Sequence, residues 1–79
     1  MKVHHSALKH GVSAEDALHA ARHRIYESLP DDSMPAKQFV MGFDNRGRLL
    51  ELVILTFDSG NQLLMHAMKA RRHLLDLID

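Results

Sequence analysis

Apolar and polar positions along the chain change period several times, and each change marks a predicted element. Val3, Ala7 and Leu8 give a weak apolar face that ends before Gly11, a residue suited to the left-handed position past a helix end, with Lys9 and His10 in the last turn. A short first helix is expected there. Ser13 is an N-cap type, Asp16 stands at the capping-box position, and Val12 can staple against Ala17. Ala14, Ala17, Leu18 and Ala21 then fall at i, i+3, i+4 and i+7, which predicts a second helix over residues 14 to 23 with one buried face. Its small alanines suit close packing on a sheet.

Ile25 and Tyr26 allow a short edge strand, and Leu29-Pro30-Asp31-Asp32-Ser33-Met34-Pro35 reads as a loop because its prolines and acids forbid regular pairing. Residues 37 to 43 alternate, with Phe39, Met41 and Phe43 on one side, and Asp44-Asn45-Arg46-Gly47 carries the chemistry of a tight hairpin turn. Residues 48 to 57 are apolar on both faces, as a central strand requires. After a turn at Asp58-Ser59-Gly60-Asn61, residues 62 to 68 pair back, and Ala70, Leu74, Leu77 and Ile78 form the stripe of a closing helix. The expected fold class is therefore α+β: two N-terminal helices, an antiparallel sheet of three to four strands and a C-terminal helix. A hairpin centred on Ser59-Gly60 places Val53 opposite His66 and Glu51 opposite Met68.

Seventy-nine residues are expected to form a single domain, 1–79, with a core small enough that a homo-oligomer or a partner protein would complete its burial. Ten Lys and Arg balance ten Asp and Glu, so affinity for nucleic acid has to come from a local patch. Without cysteine there is no disulfide framework and no thiolate nucleophile. The start, Met1-Lys2-Val3-His4-His5, lacks the apolar region of a signal peptide, and no run approaches the eighteen or so residues of a membrane span, so a cytoplasmic protein with no membrane partner is expected.

The chemistry gathers at His66-Ala67-Met68-Lys69-Ala70-Arg71-Arg72-His73, where three fixed cations and two imidazoles cross from a strand into the closing helix. Cleaving RNA without a metal needs a base for the ribose 2′-hydroxyl, cations for the phosphate and an acid for the leaving oxygen. Glu51 and His66 become diagonal neighbours on one sheet face, while Lys69, Arg71 and Arg72 can clamp a phosphate and Arg48 is a more distant addition. Against this stands the ordinary reading of Glu51 and His66 as a structural pair and of the cations as a solvated surface. His19 and His23 share a helix face, yet without a third or fourth ligand at metal spacing they predict no metal site and no cofactor.

Lys9-His10-Gly11-Val12-Ser13, the Gly-Phe-Asp-x-x-Gly-Arg-Leu-Leu stretch at Gly42 to Leu50, and Ala67-Met68-Lys69-Ala70-Arg71-Arg72 resemble, in order along most of the chain, the BrnT toxins of type II toxin-antitoxin systems. That resemblance implies a fold related to the RelE toxins and a metal-independent RNA endonuclease that inhibits translation on ribosome-associated mRNA. It also implies neutralisation by a cognate antitoxin. His10 and Lys9 lie within the first of these motifs, so the resemblance adds His10 to Glu51 and His66 as a catalytic candidate and Lys9 to the RNA-binding set. The chain departs from the family where a Trp-Asp-containing first strand usually stands, and at His66-Ala67-Met68, where Ser-Ala-Arg is typical. The alternative is a non-catalytic interaction module, a homodimer or the partner of a DNA-binding antitoxin.

Overall fold

A five-stranded sheet organises the chain in a computed structural model that describes residues 1–78. The strands are β1 (Lys2–Val3), β2 (Arg24–Glu27), β3 (Ala36–Phe43), β4 (Leu49–Thr56) and β5 (Gln62–Lys69), in the order β1-β5-β4-β3-β2. Strands β2 to β5 form an antiparallel meander, and β1 adds in parallel to the edge of β5 through Lys2 opposite Leu63 and Val3 opposite Leu64. One α-helix, α1 (Ala14–Arg22), packs on one face, and single stretches of 3₁₀-helix cover His5–Leu8 and Arg72–Ile78.

This corrects the expected architecture in three places. The N-terminal segment contributes a strand and one 3₁₀ turn in place of a first α-helix, because the His4 N–H donates to the Leu64 carbonyl (2.9 Å) and ties the chain to the open edge of β5. The sheet consequently has five strands and one parallel pair, where three to four antiparallel strands are expected. The closing segment is 3₁₀ with no buried residue: its apolar stripe finds too little surface to bury for an α-helix to form. The helix count and sheet order thus differ from the arrangement expected from the sequence, and what stands is a small α+β protein.

The core lies between α1 and the sheet. Ala17, Ala20 and Ala21 meet Val40, Leu50, Leu52 and Ile54, all buried, and Ala7, Val12, Leu64 and Ala67 close the end. Gly42 permits the close approach of the helix, since a Cβ there would collide with the Ala20 carbonyl oxygen. Ser13 caps α1 as expected, its hydroxyl accepting from the Asp16 N–H at 3.1 Å. The Asp16 carboxylate, however, turns outward from its own helix to Arg46 and Arg48, both at 3.2 Å, and Arg48 also binds Asp44 at 2.7 Å. These four side chains clamp the start of α1 to the β3–β4 turn.

Across β4 and β5 the ladder carries one bulge. Ile54 pairs with Leu64 and Val53 with His66, leaving Met65 as the extra residue. Beyond it Glu51 stands opposite Met68, so the expected register holds at that end, whereas nearer the turn each residue pairs one position away from expectation.

Candidate functional site

Two faces of β4 serve different purposes. Leu50, Leu52 and Ile54 point to α1; Glu51, Val53 and Leu55 point to the other face, shared with His66 and Met68 of β5 and Phe39 and Met41 of β3. On that second face Glu51 is completely buried. A buried carboxylate is costly unless its oxygens are satisfied, and here they are. Oε1 accepts from His66 Nε2 at 3.3 Å and from Arg71 Nε at 3.0 Å, and Oε2 accepts from the Arg71 backbone N–H and Nε, each at 3.3 Å.

Local structure explains the convergence. The bulge at Met65 sets the phase of β5 so that Ala67 enters the core while His66 faces Glu51. The Ala70 N–H donates to the Leu49 carbonyl (2.9 Å), which holds the chain against β4 for one more residue and delivers Arg71 to the carboxylate. Because a carboxylate only accepts, His66 presents Nε2–H to Glu51 and leaves Nδ1 for another partner. His10 reaches the same place from the N-terminal segment: its ring lies 5.4 Å from that of His66, edge to face. The segment is anchored by the Ser6 hydroxyl, which donates to the carbonyl of the bulged Met65 at 2.6 Å.

His10, His66, Glu51 and Arg71 therefore form one cluster. The His10 ring is open to solvent, His66 is 29% exposed, and the Arg71 side chain remains 55% exposed, so three of the four groups are accessible above a buried carboxylate. The remaining cations are placed differently. Arg48 is spent in the clamp with Asp44 and Asp16. Lys69 pairs with Leu50 and so belongs to the α1 face of the sheet, although it is exposed at the strand end. Lys9 ends the first 3₁₀ turn and Arg72 begins the last one, both exposed. Sequence reasoning treated Arg71 as a phosphate clamp alone and missed its grip on Glu51, which depends on the chain path after Lys69.

His19 and His23 stack with ring centroids 4.1 Å apart, and each turns Nδ1 to a carbonyl, Phe43 at 3.1 Å and His19 at 2.8 Å. Among the described residues no group of three His, Cys, Asp or Glu side chains is arranged to hold a metal ion, and no helix is long and apolar enough to cross a membrane. The chain matches no family model, and neither the curated proteins nor the solved structures contain a match to it.

Proposed function

We propose that this protein is a metal-independent RNA endonuclease acting as the toxin of a type II toxin-antitoxin system in the cytoplasm. One observation carries the reading: two imidazoles, His10 and His66, meet edge to face beside an accessible guanidinium. In that arrangement His66, oriented through Nε2 by Glu51, takes the proton of a ribose 2′-hydroxyl on Nδ1. The 2′-oxygen attacks the adjacent phosphorus, the bond to the 5′-oxygen breaks, and protonated His10 supplies the leaving oxygen with its proton. The products are a 2′,3′-cyclic phosphate and a 5′-hydroxyl. Arg71 keeps its terminal nitrogens free of Glu51 and offers them to the phosphate oxygens, whose charge grows in the transition state. The motifs resembling BrnT toxins support translated mRNA as the target and a cognate antitoxin as the partner.

The test is cleavage of single-stranded RNA by purified protein in excess chelator. Cyclic-phosphate ends are expected, with His10→Ala and His66→Ala each losing about 10²-fold or more in rate. Cleavage that disappears with chelator and returns with a divalent ion refutes the mechanism. A non-catalytic interaction module is the competing reading, favoured by the burial of Glu51 and its hold on Arg71, which also suit a purely structural pair. It expects no cleavage under any condition and no effect of the chain on translation.

A further inference from the structure

The second face of the sheet continues past the cluster to a cavity of about 720 Å³ at the far end of β5, among Lys2, Phe57, Ser59, Asn61, Gln62 and Leu63. Pairing places its Lys2 and Leu63 on the same face as the cluster, whereas Gln62, opposite Thr56, lies on the α1 face, so the cavity wraps the end of β5. Lys2 stands opposite Leu63, Leu63 opposite Leu55, and Leu55 alternates with Val53 and Glu51 along β4. Leu63 and His66 stand opposite Leu55 and Val53, two residues apart on β4, so they are separated along the sheet by about 7 Å, on the order of two stacked nucleotides at about 3.4 Å each.

The lining has the chemistry of a base-binding subsite. Phe57 is 40% exposed, yet its backbone is fixed on both sides, the N–H donating to the Asn61 carbonyl at 2.9 Å and the carbonyl accepting from Gly60 at 2.8 Å. The ring is thus an exposed aromatic surface on a held turn, which is what stacking of an unpaired base requires. Asn61 brings an amide that donates and accepts, while the Gln62 Nε2 is held by Thr56 Oγ1 at 3.1 Å and steadies that wall of the cavity. Lys2 supplies a cation, and among the described residues no carboxylate lines the cavity. An anionic ligand with a flat ring therefore suits it better than a cationic or purely apolar one.

We infer that this cavity is a subsite for one unpaired nucleotide of a single-stranded RNA, the base stacked on Phe57 and the phosphate near Lys2, with the strand running along the second face to His66. The inference rests on RNA as the ligand of the cluster, and it assigns the substrate a single-stranded character and a second contact remote from the bond that breaks. A free mononucleotide has the same chemistry and is the source to be distinguished.

The probe is a short fluorescein-labelled mixed-sequence RNA, fully 2′-O-methylated so that it cannot be cleaved, followed by fluorescence anisotropy with the intact protein. Wild type is expected to bind it, Phe57→Ala to bind about tenfold more weakly, and Phe57→Tyr to recover the affinity because the stacking face is restored. Lys2→Gln should weaken binding and flatten its salt dependence. A matched duplex should bind less well than the single strand. Far-UV circular dichroism of each variant checks that the fold is retained, and chemical-shift changes on adding the oligomer report on Phe57 independently of any substitution. Absence of oligomer binding by wild type, an unchanged affinity of folded Phe57→Ala, or shifts at Phe57 produced by uridine or adenosine monophosphate but not by the oligomer would each overturn the inference. The nuclease reading fails separately: an oligomer that binds through Phe57 while unmethylated RNA is never cut leaves the subsite standing and removes the catalysis.

Discussion

Replacing Glu51 by Gln and by Met separates what the carboxylate does for the fold from what it does for the cluster. In Glu51→Gln the side-chain shape is retained, but one acceptor oxygen becomes an N–H₂ donor and the charge is lost. If the amide nitrogen takes the Oε1 position, His66 can shift its proton to Nδ1 and accept, while Arg71 Nε is left facing a donor; in the Oε2 position the nitrogen confronts the Arg71 backbone N–H. Hydrogen bonds to charged groups contribute about 1.5–3 kcal/mol, and the half-exposed Arg71 side chain can turn to water and limit the loss. A net destabilisation of about 2 kcal/mol follows, which for a domain of this size lowers Tm by roughly 8–16 °C. Glu51→Met removes all the hydrogen bonds together with the desolvation cost of the carboxylate, and buried ion pairs exchanged for apolar side chains of similar volume are often neutral or better. That variant should melt no lower than Glu51→Gln. Both should impair RNA cleavage: Glu51→Met leaves nothing to hold His66 through Nε2, and Glu51→Gln either moves the His66 proton to Nδ1, the atom that has to accept, or holds Nε2–H with a neutral oxygen in place of a charged one. Thermal denaturation followed by circular dichroism reads the order. A Glu51→Gln protein melting within about 2 °C of wild type, or a Glu51→Met protein far less stable than Glu51→Gln, would refute the account of the buried carboxylate.

Gly42→Ala puts a Cβ against the backbone of Ala20 and His23, which cannot move without lifting α1, so a loss of about 3 kcal/mol or more is expected in urea denaturation. Burial pushes the pKa of Asp44 up, but the Arg48 backbone N–H, the Arg48 guanidinium and the Arg46 N–H together outweigh it and hold the group below the ordinary aspartate range; the Lys37 N–H, against a smaller opposing effect of burial and with help from Ser33, does the same for Asp31. Carboxylates with a depressed folded pKa stabilise the fold in full above the unfolded value of about 3.9 and lose that contribution as pH falls through the folded one. Tm should accordingly show no loss from these groups between neutral pH and about pH 5 and decline below about pH 4, with a shallower decline in Asp44→Asn. Replacing Arg71 and Arg72 together by Ala should abolish RNA cleavage and, unlike an ordinary surface substitution, should also lower stability in denaturation, because the buried Glu51 carboxylate loses its guanidinium partner. Deleting Met65 joins the Ile54–Leu64 and Val53–His66 pairs into a regular ladder, so the fold should survive by circular dichroism. The Ser6 anchor and the aim of His66 toward His10 would be lost, and with them cleavage.

The elements legible in the sequence are those fixed by neighbours along the chain. Ser13 and the alanine spacing define α1, Asp44 to Gly47 makes a turn with Gly47 at φ 79°, and the run on both faces of residues 48 to 57 marks the central strand. Glu51 and His66 could be brought together because a hairpin relates its strands by counting. What stayed out of reach depends on pairings between distant segments. The two residues of β1 carry no strand signal of their own and exist because β5 has a free edge for the His4 N–H to meet. The 3₁₀ form of Arg72–Ile78, none of whose residues is buried, reflects how little surface the finished sheet offers it and not its own apolar spacing. Arg48 looked like a free cation until α1 brought Asp16 to it across 32 positions of sequence.

The bulge at Met65 shows how a local irregularity and the site depend on each other. Strict alternation along β5 from the buried Leu64 would turn His66 to the α1 face and Ala67 away from it, putting an imidazole into an alanine-lined core and a methyl group beside the Glu51 carboxylate. Inserting one residue reverses that assignment: Ala67 packs in the core, His66 reaches Glu51, and the carbonyl of the extra residue becomes the anchor for Ser6 and hence for the segment bearing His10. Hairpin counting centred on the turn reached the right partner for His66 without revealing that the two halves of the ladder are out of phase. The cluster is thus held by four separate parts of the chain that meet only after β5 has slipped by one residue, and the identity of that residue, an unremarkable Met between two ordinary strand positions, carries no sign of it.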